Sequence, residues 1–200
     1  MSETISIALV LGSNRPERFC DLVASWALEA IVRAGGFETD VVDPAALDLP
    51  VRHPREPDSA VQDLRARIGR ADAIVVVTPE YNHGYPAALK HLIDLVRSEW
   101  HAKPVGFVSY GGLSGGIRAV EQLRGVFAEL HAITVRDAVA FPNTRERFDA
   151  EGQLAEPRRF ERQATVMLER VRWWAAALKA ARLTAPYPPA IPEQPAASWR

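Results

Sequence analysis

Ala73-Ile74-Val75-Val76-Val77-Thr78 is an unbroken apolar run, rich in β-branched residues and closed by Pro79. A run that does not alternate predicts a strand covered on both faces, as in a parallel sheet flanked by helices. The residues around it repeat one theme. Upstream, Asp58 or Ser59 can cap a short helix carrying Val61, Leu64 and Ile68 on one face. Downstream, Leu89, Leu92, Ile93 and Val96 recur at helical spacing, with Pro86 near the first turn.

The rest of the chain extends the alternation. Ile5 to Leu11 reads as a first strand, and Val23, Trp26, Ala27, Ala30 and Ile31 as a helix over Asp21 to Ala34. Gly35-Gly36 stops that helix. Phe37 to Val42 is a second strand, followed by a loop with Pro44, Pro50, Pro54 and Pro57. Pro104 to Ser109 is a fourth strand. The helix after it is expected to turn Ile117, Val120, Leu123, Phe127 and Leu130 inward. A last strand lies within Ile133 to Phe141. A last helix spans about Pro157 to Arg182, with Phe160, Ala164, Leu168, Val171 and Leu178 inward. Five strands alternating with five helices predict one α/β domain over residues 1–183, a three-layer sandwich around a parallel sheet. Residues 184–200, with five prolines, are expected to be extended or disordered.

Composition narrows the function classes. The chain has 200 residues, with 24 Lys and Arg against 25 Asp and Glu, and no long basic block. Nucleic acid is thus not an expected partner. No apolar run is long enough to span a membrane, and the first residues lack a secretory pattern, so a cytoplasmic location is expected. A single cysteine, Cys20, excludes an intramolecular disulfide. His53, His83, His91, His101 and His131 form no i, i+4 pair, so no metal site is expected.

Ligands of parallel sheets bind beyond the carboxyl ends of the strands. Three strand ends carry unusual loops, and in the order 2-1-3-4-5 those strands are adjacent. Gly12 to Cys20 places Ser13, Arg15 and Arg18 at a helix start, which favours an anion. The dinucleotide and P-loop glycine patterns are both absent, which favours one terminal phosphate over a pyrophosphate. Tyr81, Asn82, Gly84 and Tyr85 form either a resting place for a flat ring or a rigid turn fixed by Pro79 and Pro86. Gly111 to Gly116 allows close approach by a ligand. It also matches the G-x-S-x-G pattern at Ser114, which raises a serine hydrolase as a remote alternative. The histidine that follows, His131, lies roughly 25 Å along the same helix. Cys20 reads as a small half-buried residue, with a reactive thiol as the alternative.

Gly12-Ser13-Asn14-Arg15-Pro16, Pro79-Glu80-Tyr81-Asn82 and Gly115-Gly116-Ile117-Arg118-Ala119 together resemble the NADPH-dependent FMN reductase family, as does Trp173-Trp174-Ala175-Ala176-Ala177-Leu178. The likeness runs from about Ile5 to Arg182. It implies a flavodoxin-like fold and an oxidoreductase passing electrons from NADPH or NADH, through non-covalent FMN, to a quinone, flavin, azo or similar small-molecule acceptor by two-step exchange. It implies that Ser13, Arg15, Arg18, Phe19 and Cys20 surround the FMN phosphate. Pro79, Glu80, Tyr81 and Asn82 would pack along the rings, with Ser109, Gly111 and Gly112 opposite. Arg118 would lie near a subunit contact in a homodimer or homotetramer. No side chain is expected to act as a catalytic acid or base, since the flavin carries the chemistry. Many members of the family have glycine where Glu17 stands, serine at position 18, and asparagine or glycine at position 20. The alternative within the same fold is a flavodoxin-type carrier without NAD(P)H activity; the near-neutral charge is unlike the strongly acidic surface of such carriers.

Overall fold

A computed structural model describes residues 4–149 and 152–188. The run that opens the sequence reading is strand β3, Ala73–Pro79, and all seven of its residues are buried. It lies between β1 (Ile5–Leu11) and β4 (Pro104–Tyr110). The edges are β2 (Phe37–Val42) beside β1 and β5 (Ile133–Phe141) beside β4, so the order is 2-1-3-4-5 and every pairing is parallel. Burial follows position in the sheet. The central strands are buried at every residue but Ser6, whereas β2 and β5 mix buried with partly or fully exposed residues.

Two hydrophobic layers cover the sheet. On one face, α1 (Cys20–Ala34) and α5 (Pro157–Thr184) bury Val23, Trp26, Ile31, Phe160, Leu168 and Val171. On the other, α2 (Ser59–Arg70), α3 (Ala87–Asp94) and α4 (Ile117–Glu129) bury Leu64, Ile68, Leu92, Leu123 and Phe127. The three-layer flavodoxin-like expectation is met. Asp58 caps α2 by accepting from the Val61 N–H at 3.0 Å, as its place before the apolar stripe predicts.

Two inward assignments need correction. Ile117, the first residue of α4, is 58 % exposed. Leu178 is only half-buried, whereas Leu130, also half-buried, packs against the core as expected. In α5 the inward stripe instead uses Met167 and Ala175. Helix α5 runs one residue beyond the expected domain boundary, to Thr184. Of the tail, Tyr187 returns to hydrogen-bond His131 at 2.9 Å; residues 189–200 lie outside the described residues.

Register sets the site. Leu11 pairs with Val77, Pro79 with Tyr110, and Tyr110 with Phe141. The carboxyl ends of four strands therefore stop at nearly one level, and the loops that leave them meet there.

Candidate functional site

The first loop leaves β1 through Gly12, whose N–H reaches the Val77 carbonyl at 2.7 Å. A Cβ on Gly12 would stand 2.9 Å from that same oxygen, so the close approach of the two strands requires glycine. Ser13 is buried, and its hydroxyl lies 2.9 Å from the Tyr81 hydroxyl. The Arg15 guanidinium lies 3.7 Å from the centre of the Tyr81 ring. The first and second loops are thus joined. Helix α1 then begins with no side-chain cap, and no backbone carbonyl among the described residues takes the N–H of Phe19 or Cys20. An uncapped helix start presents donors and the positive end of the helix dipole.

Arg18 and Cys20 are tied up within the protein at that start. The Arg18 guanidinium is forked onto Asp43, touches Asp21 and donates to the Ser13 carbonyl, with its side chain only 7 % exposed. The Asp43 carboxylate, followed by Asp21, raises the Arg18 pKa despite its burial. Arg18 therefore braces the loop. Cys20 is fully buried, its Sγ 3.9 Å from the Val77 carbonyl, and burial pushes its thiol pKa up. That is a packed thiol, not a reactive one. Glu17 has a left-handed φ of 48°, which gives a physical reason why glycine suits this position.

The second loop is a two-residue hairpin. Tyr81 and Gly84 exchange N–H···O bonds of 2.9 and 3.1 Å around Asn82 and His83, both at positive φ. Asn82 is at its exposed tip. Glu80 is the hub between loops. It accepts from the Ser114 hydroxyl at 2.6 Å, from the Arg118 N–H at 3.2 Å and from the Arg118 guanidinium at 2.8 Å. Burial works against its charge, but Ser114 and Arg118 prevail and hold its pKa below the ordinary value. Glu80 thereby caps α4. Ser114 is engaged with a carboxylate rather than a histidine, and His131 sits at the far end of α4, so no Ser-His arrangement forms. Ser109 is buried and donates to the Gly115 carbonyl at 2.8 Å, which fixes the glycine turn from below.

A fourth wall, which sequence reasoning missed, comes from the loop after β5. Thr144 Oγ1 lies 2.9 Å from both the N–H and the carbonyl of Gly111, and the Asn143 N–H reaches the Gly112 carbonyl at 2.8 Å. The loop carries no glycine pattern; its one signal was position, since β5 neighbours β4. Together the four loops enclose a cleft of about 580 Å³. Of the residues singled out in the sequence, Arg15, Arg18, Phe19, Pro79, Glu80, Tyr81, Gly111 and Gly112 line it. Ser13, Cys20 and Ser109 lie buried behind the wall. Tyr110 also lines the cleft; its hydroxyl is buried with no geometric hydrogen bond among the described residues, and its pKa is pushed up by burial and then by the neighbouring Cys20 thiol. A larger groove of about 990 Å³ lies between the outer faces of α1 and α5, away from the carboxyl ends of the strands.

Comparison with known proteins agrees with this geometry. The NADPH-dependent FMN reductase family matches residues 5–146, which span β1, β3, β4 and all four loops of the cleft. The chain belongs to the NADPH-dependent FMN reductase family. An NAD(P)H-dependent FMN reductase of Schizosaccharomyces pombe is 34% identical over 155 residues, 71% of this chain and 76% of that one. An NADPH:quinone oxidoreductase of Arabidopsis thaliana is 32% identical over 177 residues, 82% of this chain and 89% of that one. The fold is also that of FerB, a flavoenzyme NAD(P)H:(acceptor) oxidoreductase from Paracoccus denitrificans. It superimposes with a TM-score of 0.72 at 19% identity, over 87% of this chain and 98% of the other.

Proposed function

We propose that the cleft holds FMN and that the protein is an NAD(P)H-dependent reductase of small-molecule acceptors. One observation carries the reading: an uncapped helix start, flanked by Ser13 and Arg15, opens onto the same cleft as Tyr81, Gly111 and Gly112. The donor set fits the cofactor. Amides and a guanidinium suit a terminal phosphate, and a Cβ built on Gly112 would meet nothing within 4 Å, which leaves room for a flat ring beside it. When bound, FMN supplies the redox chemistry, taking hydride from a nicotinamide nucleotide and passing electrons to a quinone, flavin or azo acceptor.

The chain's own residues bind and orient. Arg15 and the start of α1 hold the phosphate. Ser13 fixes Tyr81, and Glu80 fixes the glycine turn against α4. Donor and acceptor take turns in this cleft, the basis of a two-step exchange. The exposed side chains of Leu113 and Ile117, flanking Arg118, support the homo-oligomer that belongs to this reading; a cytoplasmic location belongs to it too. Among the described residues no helix is long and apolar enough to cross a membrane.

Arg15→Ala tests the phosphate assignment. A charge-assisted bond contributes about 1.5–3 kcal/mol, so the FMN dissociation constant should rise roughly tenfold or more. Riboflavin, which lacks the phosphate, should bind wild type and variant alike. Fluorescence titration of apoprotein reads both. Equal FMN affinity in the two proteins would count against the assignment.

A further inference from the structure

We infer that Arg145 grips a phosphate of the nicotinamide nucleotide, and so contributes to choosing the electron donor; the inference rests on the function proposed above. Arg145 stands on the one-turn helix Thr144–Glu146 and lines the cleft. Its backbone is firmly held. Thr144 is buried and bonded to Gly111 and Phe141, and the Arg147 N–H closes the turn on the Thr144 carbonyl at 3.0 Å.

The other arginines around the cleft are already committed. Arg18 is forked onto Asp43, Arg118 is paired with Glu80, and Arg147 reaches Glu156 and the Pro142 carbonyl. Arg15 lies on the Tyr81 ring at the start of α1. Arg145 is exposed and makes no ion pair or hydrogen bond among the described residues. A guanidinium on an anchored turn at the mouth of a cleft loses little freedom on meeting an anion, and its planar fork suits phosphate. Quinone, azo and riboflavin acceptors need carry no phosphate, and although FMN as an acceptor would carry one, the donor is the reactant common to every acceptor. A nicotinamide nucleotide always carries phosphate, as a pyrophosphate and, in NADPH, a further 2′-phosphate. The cofactor phosphate is accounted for at α1, so the donor nucleotide is the anion left for Arg145.

The test uses FMN-loaded wild type, Arg145→Ala and Arg145→Lys. The FMN dissociation constant should be the same in all three. In Arg145→Ala the KM for the nucleotide should rise about tenfold with kcat little changed, and the NADP+ dissociation constant from calorimetry should weaken in step. Arg145→Lys should recover part of the loss. A loss confined to NADPH and NADP+ places the 2′-phosphate on Arg145, and an equal loss with NADH places the pyrophosphate there. Unchanged KM and NADP+ affinity in an FMN-loaded variant would overturn this inference alone. So would an FMN affinity that falls as far as the nucleotide affinity does. A wild-type protein that takes up no FMN overturns the function itself, and this inference with it.

Discussion

Gly116→Val will remove several kcal/mol of stability and the wall of the cleft together. Gly116 sits at φ 87° between β4 and α4, where an L side chain is strained. A Cβ there would stand 2.7 Å from the Ser109 Cβ and 2.9 Å from the Tyr110 nitrogen, atoms of a buried central strand that have nowhere to go. Left-handed strain of about 1–2 kcal/mol adds to overpacking of about 1–3 kcal/mol. The glycine turn would be displaced, and with it the bond from Ser109 to Gly115 and the wall of the cleft. Gly125→Ala is the matched control. It lies inside α4 with open space where its Cβ would go, so it should stabilise by about 0.5–1 kcal/mol. Thermal melts with and without FMN compare the two. Equal melting temperatures for Gly116→Val and wild type would contradict the geometry of this turn.

The second large effect is expected at Arg18, and it is one of stability before binding. Removing the guanidinium leaves the Asp43 carboxylate, 21 % exposed, with the Ala45 N–H as its remaining partner. Breaking a largely buried pair costs about 2–4 kcal/mol, a little under the fully buried range. At about 2–4 °C per kcal/mol for a chain of this size, the melting temperature should fall by roughly 5–15 °C. Arg18→Ala/Asp43→Ala should lose less than the two single variants combined, because no carboxylate is then stranded. The pH dependence has a definite sign. Burial works against the Asp43 charge, but Arg18 prevails and holds its folded pKa below the ordinary value. The stabilisation is complete above the unfolded Asp pKa and is lost as pH falls through the folded one. The gap between wild type and Arg18→Ala should therefore close in acid, below about pH 4. A gap that stays constant through that range would argue against the ion pair.

These two residues also show what the sequence could and could not reveal. The uninterrupted run from Ala73 to Thr78 was readable because a strand buried on both faces admits few polar residues. The alternation pointed to a parallel sheet covered on both faces, while the order 2-1-3-4-5 belongs to the flavodoxin-like resemblance, and the register that brings the loops to one level is visible only in the fold. Arg18 was legible as a cation near a helix start, but not as Asp43's partner, because that contact crosses from the loop before α1 to the residue after β2. Glu80 stood in a recognisable motif, yet its work as the cap of α4 depends on where β4 delivers Ser114 and Arg118. The loop from Asn143 to Glu146 gave no local signal at all. Its part in the cleft comes from Thr144 bonding to Gly111, a pairing set by the β4–β5 register. Ile117 misled because helical spacing identifies a stripe, not the residue at which its burial begins. Burial of Asp72 and Lys103 at the opposite end was equally invisible, since it relies on Lys179 and on the last carbonyls of α2.

The proposed function places FMN in the cleft at the carboxyl ends of the strands, with a nicotinamide nucleotide as its reductant. The most direct measurement is anaerobic addition of NADPH or NADH to the protein reconstituted with FMN, followed through the flavin absorbance, and then addition of a quinone. The expected results are one FMN per chain, bleaching by the nicotinamide nucleotide, and full return of colour with the quinone. A chain that takes up no FMN, or whose bound FMN keeps its colour with both nucleotides, would overturn the proposed function.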